Sequence, residues 1–216
     1  MMLKYVDSFI QHYPMFRIKP AMGKVLVLEG TYEGVLSYEQ YGDVLVDFKL
    51  AIHVPEEYPS SLPTVFEMSN KIEKTPDNHV NYDGSLCLGA PIRLKMVMKK
   101  NTSLIYFFKK CILPYLYAVT LKTNTGQPFV FGELAHGNLG LMEDFKRLFN
   151  LSEVKKVHHM LVLLSANKKE ANRLPCPCGC EKRVSTCSYF GRVQQMRKLL
   201  PRSEWEEQYT SIKKGY

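Results

Sequence analysis

The sequence predicts an α+β protein, an antiparallel β-meander flanked by helices, with a small Cys-rich extension at its C-terminal end. Three observations predict it. Lys24 to Glu29 and Asp43 to Val54 alternate apolar and polar residues and are rich in β-branched side chains, the period-2 signature of strands. Apolar residues before and after them recur at helical spacing. Four of the six Cys, Cys176, Cys178, Cys180 and Cys187, crowd into twelve positions of a basic tail. Residues 1–150 therefore read as one domain and residues 151–216 as a helical, Cys-rich extension. With 45% hydrophobic and 23% charged residues, the 216-residue chain is neither disordered, collagen-like nor coiled coil.

In chain order, Leu3, Val6, Phe9, Ile10 and Tyr13 line one face of a helix over residues 2–13, ended by Pro14. The two alternating runs come next, with Gly30, Gly34 and Gly42 between them, and Thr64 to Met68 makes a further short strand. Ser69 to Met98 reads as a long loop containing Pro76, Asp83-Gly84, Gly89 and Pro91, and loops of that length are usually functional. Ser103 to Lys122 is helical and strongly apolar, and Pro114 is expected to kink or divide it. Gly137 to Phe149 and Ser152 to Ala166 read as helices, with Ser152 capping the second. The polar run NKKEANR links into the Cys cluster, and Tyr189 to Leu200 forms a basic helix stopped by Pro201.

Charge and thiols are unevenly spread. The net charge is +8, yet residues 84–132 hold seven basic residues and no acidic one, and residues 151–216 hold 13 basic against six acidic. The N-terminal residues lack the basic flank and apolar run of a secretory signal. No segment reads as the roughly 20 apolar residues of a membrane span. With clustered Cys, the expected location is the cytoplasm, where reduced thiols serve metal binding or catalysis rather than disulfides.

Two motifs carry the functional information. Val54-Pro-Glu-Glu-Tyr-Pro-Ser-Ser-Leu-Pro-Thr-Val-Phe66 is followed by His79-Val-Asn-Tyr-Asp-Gly-Ser-Leu-Cys-Leu88. Together they resemble ubiquitin-conjugating enzymes, with Pro55, Tyr58, Pro59 and Pro63 matching the proline-rich turn. His79 and Asn81 match the His-Pro-Asn tripeptide, and Gly84, Leu86, Cys87 and Leu88 match the loop of the thioester-forming cysteine. Val80 replaces the middle proline, and the step from His79 to Cys87 is about two residues shorter than in the family. Such departures resemble the bacterial branch that accompanies anti-phage signalling (CBASS) operons encoding a cyclic-nucleotide synthase. The resemblance implies a UBC-like fold over residues 1–150, a Cys87 thioester, and transfer of a protein's C-terminal acyl group in anti-phage defence. The implied partners are a protein with an activated C-terminus, which is that synthase itself or another modifier, and a separate activating enzyme. In the family the histidine at the position of His79 is structural.

The residues themselves suit this chemistry. Acyl transfer needs an exposed thiolate and a donor for the tetrahedral oxyanion. Cys87 precedes the acid-free belt of Arg93, Lys95, Lys99, Lys100, Lys109 and Lys110. Asn81 or Tyr82 could supply a donor, and Asp83 could orient or deprotonate an incoming amine. The resemblance also implies a downstream histidine that assists the cysteine, for which His136 is the candidate; read from the residues alone, His136 is equally a helix-start hydrogen-bonder. Cys111, inside an apolar helix, reads as core.

Cys176, Cys178, Cys180 and Cys187 suit a closed tetrahedral Zn2+ site. Cys176, Cys178 and Cys187 resemble the small zinc motif (SEC-C) at the end of the bacterial secretion ATPase. Ser188 stands where that motif has its last ligand, which leaves Cys180 as the substitute. Two other readings are a non-catalytic adaptor of the same fold, opposed by the presence of Cys87, and a zinc-dependent nucleic-acid binder. The basic tail alone supports the latter, without the aromatic interleaving of a single-strand platform.

Overall fold

The computed structural model describes residues 2–20, 23–131 and 137–214. The chain divides into two compact units, Met1–Glu133 and Leu134–Tyr216.

The first unit opens with α1 (Leu3–His12), then β1 (Phe16–Lys19), β2 (Val25–Tyr38), β3 (Gly42–Pro55) and β4 (Thr64–Glu67). The strands form one antiparallel sheet in the order β1-β2-β3-β4. β3 shows why it forms: Val44, Val46, Phe48, Leu50, Ile52 and Val54 are buried, while Leu45, Asp47 and Lys49 between them are exposed. On the buried face lie Val6 and Phe9 of α1 and a long helix made of α3 (Leu104–Phe107), a π turn (Phe108–Ile112) and α4 (Leu113–Thr125). Phe108 in the π turn anchors an aromatic cluster with Phe9, Tyr13, Phe16 and Tyr32, ring centroids 4.6–5.9 Å from its own.

Four differences from the sequence expectations have physical causes. β2 runs unbroken through Gly30, because Gly30 faces Phe16 across β1–β2 and a Cβ there would lie 2.5 Å from the Met15 carbonyl oxygen and 2.6 Å from Phe16 Cα. Gly30→Ala is therefore expected to cost ~1–3 kcal/mol or more in a urea melt, and a change within ~0.5 kcal/mol would show that β1 yields freely. Residues 91–98, expected in a loop, belong to α2 (Pro91–Lys100), with Pro91 where a missing amide costs nothing and Ile92 and Met98 buried. Pro114 does not divide its helix, since the preceding π turn accommodates it. The resulting Leu104–Thr125 is long and apolar enough to cross a membrane, yet 61% of its most apolar window is buried within the protein, as befits a core helix.

The second unit holds α5 (Gly137–Phe149), α6 (Val154–Ser165), α7 (Lys168–Ala171), α8 (Phe190–Leu199) and α9 (Arg202–Lys214). The fourth difference is the division itself, which falls at residue 133 rather than 150 because α5 packs with the helices C-terminal to it. Phe149 lies 5.8 Å from Trp205 between ring centroids, and its carbonyl accepts the Tyr189 hydroxyl. α6 has Glu153, not Ser152, at its N-cap, with the Glu153 carboxylate paired to Lys156. α9 buries Trp205, Gln208 and Ile212, three and four residues apart, against α6. That helical spacing is present in the sequence, although no helix is expected there from it.

Candidate functional site

Cys87 closes a short hairpin built onto the edge of the sheet. The Leu86 amide donates to the Val65 carbonyl at 2.7 Å and Ser85 bridges Phe66, so the segment extends the sheet beyond β4. The chain then folds back: Val80 bridges Leu86, the Asn81 amide donates to the Ser85 carbonyl at 2.8 Å, and the Cys87 amide donates to the His79 carbonyl at 2.7 Å. Tyr82, Asp83 and Gly84 form the three-residue connection, and Gly84 takes the left-handed conformation (φ +82°) that such a loop requires. Val80 and Leu86 are buried beneath, while Cys87 is half-exposed.

The polar side chains of the turn lock it. Asp83 Oδ1 accepts from the Ser85 amide at 3.0 Å and from Ser85 Oγ at 2.6 Å, and Ser85 Oγ accepts from Asn81 Nδ2 at 3.0 Å. These bonds from Ser85 hold the Asp83 carboxyl below the usual carboxylate range. A carboxylate so stabilised is a weak base but a good counter-ion, so Asp83 is suited to orienting an ammonium rather than deprotonating it. The Asn81 amide shares one of its two N–H groups with Ser85. Tyr82 stands fully exposed at the tip.

His79 sits in a left-handed conformation (φ 52°) directly after a 3-10 turn, Pro76–Asn78. Its ring meets Phe129 edge to face at 4.4 Å, and its carbonyl holds the Cys87 amide. The His79 backbone thus fixes the start of the cysteine end of the hairpin. Tyr115, buried in α4, donates its hydroxyl to the Asn78 carbonyl at 2.7 Å. Burial pushes the Tyr115 phenol up, and the nearby Cys87 and Glu67 raise it further. α2 begins four residues after Cys87 and carries Arg93, Lys95, Lys99 and Lys100, while Lys109 and Lys110 are exposed on the π turn. His136 lies outside the described residues. Cys111 is buried, which pushes its thiol up to about 12 and leaves it unreactive.

In the second unit the four Sγ atoms of Cys176, Cys178, Cys180 and Cys187 lie within 4.8 Å of one another. Cys187 Sγ is 3.6 Å from Cys178 Sγ and 3.4 Å from Cys180 Sγ. A tetrahedral ion bound at ~2.3 Å by four thiolates spaces them about 3.8 Å apart, so the set fits such an ion with small adjustments. Tight backbone turns bring them together. The Gly179 amide donates to the Cys176 carbonyl at 3.1 Å, Gly179 and Glu181 are left-handed (φ 89° and 63°), and the Cys176 amide donates to the Lys182 carbonyl at 2.8 Å. The Tyr189 amide donates to Cys187 Sγ at 3.4 Å and, with the neighbouring thiols, pulls Cys187 down to about 6. Cys180 belongs to the cluster, as its replacement of the ligand missing at Ser188 requires.

Sequence reasoning missed Ser85, Tyr115 and Lys122. Ser85 had a signal, standing two residues after Asp83 where an Asx-turn places its amide donor. Tyr115 and Lys122 had none, because the carbonyls they grip belong to a turn some 40 residues earlier. No family model, curated protein or solved structure matches the chain, so its reading rests on these residues and their geometry.

Proposed function

We propose that the protein is a ubiquitin-conjugating-like acyl transferase with Cys87 as its nucleophile. The observation that carries this reading is Cys87 itself: a half-exposed thiol at the end of a hairpin fixed to the sheet edge, with a basic helix directly after it. The order helix, four-stranded meander, cysteine hairpin and long helix is also the order of the family it resembles, which supports a UBC-like fold for the first unit.

The Cys87 thiolate attacks the C-terminal carbonyl carbon of an activated protein, the hairpin supplies donors to the oxyanion, and collapse expels the activating group to leave a thioester. An amine then attacks the same carbon, an amide forms, and Cys87 leaves as thiolate. Asp83 would orient that amine as its ammonium, which gives one proton to solvent water before it attacks, and the second amine proton passes to solvent or to the departing Cys87 thiolate as the amide forms. The donor is a protein activated by a separate enzyme, and the resemblance favours the cyclic-nucleotide synthase of an anti-phage operon. Cys176, Cys178, Cys180 and Cys187 bind one Zn2+ in a closed structural site, and both thiol sites suit the reducing cytoplasm.

The test uses a synthetic peptide ending in glycine as its mercaptoethanesulfonate thioester, a donor that needs no activating enzyme. Intact mass under non-reducing conditions should show one peptide added per chain, mapped to Cys87 and removed by dithiothreitol. No adduct, or one spread evenly over the exposed thiols such as Cys180, would overturn the proposal.

A further inference from the structure

We infer that Tyr115 and Lys122 of α4 are positioning residues that set the reactivity of Cys87, an inference that rests on Cys87 being the nucleophile. The geometry is a clasp on three consecutive carbonyls. Lys122 Nζ donates to the Asp77 carbonyl, the Tyr115 hydroxyl donates to the Asn78 carbonyl at 2.7 Å, and the Cys87 amide donates to the His79 carbonyl at 2.7 Å. Tyr115 and Lys122 are seven residues apart, so two turns of one helix present both groups to the same short turn. Lys122 also lies 5.4 Å over the Phe129 ring, whose edge-to-face partner is the His79 ring.

The clasp bears on Cys87 for a backbone reason. Residues 76–78 form a single 3-10 turn, and His79 leaves it in a left-handed conformation that is disfavoured for a residue with a Cβ and is held by the bonds around it. With Asp77 and Asn78 fixed from α4, the His79 carbonyl is held where the Cys87 amide meets it, and the thiol is fixed relative to Val80 and Leu86 below. Released, His79 relaxes and the cysteine end of the hairpin loses its partner. Tyr115 is 5% exposed and within electrostatic reach of Cys87, so a change in its hydroxyl alters the surroundings of the thiolate as well.

The test reads Cys87 chemistry without any acyl donor. Iodoacetamide alkylation, in which the thiolate displaces iodide, is followed from about pH 6 to 10 with peptide mapping of each thiol. Tyr115→Phe and Lys122→Met are each expected to change the Cys87 rate by about three- to tenfold and to shift its pH profile, the scale of one lost hydrogen bond. Lys122→Arg should restore the wild-type profile, and the Cys180 rate should stay constant in all variants. Unchanged Cys87 profiles in both Tyr115→Phe and Lys122→Met overturn the inference. If Tyr115→Phe does not fold, the contrast between Lys122→Met and Lys122→Arg decides alone. Failure of the wild-type protein to accept the peptide thioester would instead sink the proposed function and leave the alkylation result standing.

Discussion

Cys87→Ala is expected to abolish peptide loading while leaving the melting of the first unit within ~1 kcal/mol of wild type. Both halves of that result come from position. The side chain is half-exposed, so truncation removes little buried apolar surface. The bond that places residue 87 is made by its amide to the His79 carbonyl and survives the change. Activity falls completely because Cys111, the other thiol of the first unit, is 4% exposed with its thiol pushed up to about 12, and the remaining four cysteines are gathered in the cluster of the second unit. Cys87→Ser sharpens the result. A hydroxyl is a far weaker nucleophile than a thiolate, so loading should slow by orders of magnitude, and any product would be an oxyester that survives dithiothreitol. Cys111→Ala should do the reverse, destabilising the long helix and leaving loading intact. Intact-mass kinetics and urea melts check all three, and loading that persists in Cys87→Ala would place the nucleophile elsewhere.

The parts of this site that the sequence revealed are those in which neighbours in the chain are neighbours in space. The Gly-containing turn ahead of Cys87 is local and was legible, although the hairpin it closes was read as part of a long loop, and the alternation of β3 announced a sheet with one buried face. Structure set by distant partners was hidden. Gly30 looked like a strand break until Phe16, fourteen residues earlier, was seen to need the space of its missing side chain. α2 scatters its apolar and basic residues around the helix, so no single face declared it. The grip of α4 on residues 77 and 78 is a side-chain-to-backbone contact, and carbonyls carry no sequence identity. The four-Cys cluster was legible from spacing because two left-handed residues within one short turn bring its members together. The division at residue 133 rather than 150 was hidden because α5 reads in sequence as the last helix of the first domain, whereas it packs against α6 and, through Phe149, against Tyr189 and Trp205, 40 and more residues later.

Chelation of the Zn2+ proposed for the four-cysteine cluster is expected to unfold much of the second unit and spare the first. The segment from Pro175 to Cys187 buries only Cys176, Pro177 and Val184, and Glu181 stands in a left-handed conformation that is disfavoured for a residue with a Cβ. Four thiolates within 4.8 Å repel one another unless a cation lies between them, and without it the cluster takes up protons. Binding thus releases protons, so metal affinity falls as pH falls. Structural zinc contributes ~10–16 kcal/mol of apparent binding energy in isolated finger peptides, and even free metal at a thousand times the Kd stabilises a fold by ~4 kcal/mol. For a unit of this size each kcal/mol moves the midpoint by ~4–8 °C, so a strong chelator should lower it by roughly 15–30 °C. Trp205 makes the measurement selective, being the chain's single tryptophan and buried in the second unit against Phe149. Its fluorescence should report an early transition in chelator while Cys87 still loads peptide at the wild-type rate below that transition. Cys180→Ser, at the exposed corner of the cluster, should give an intermediate shift because three thiolates remain. About one Zn per chain is expected in purified protein, and a tryptophan melt indifferent to chelator in protein without bound metal would show four free thiols in place of a metal site.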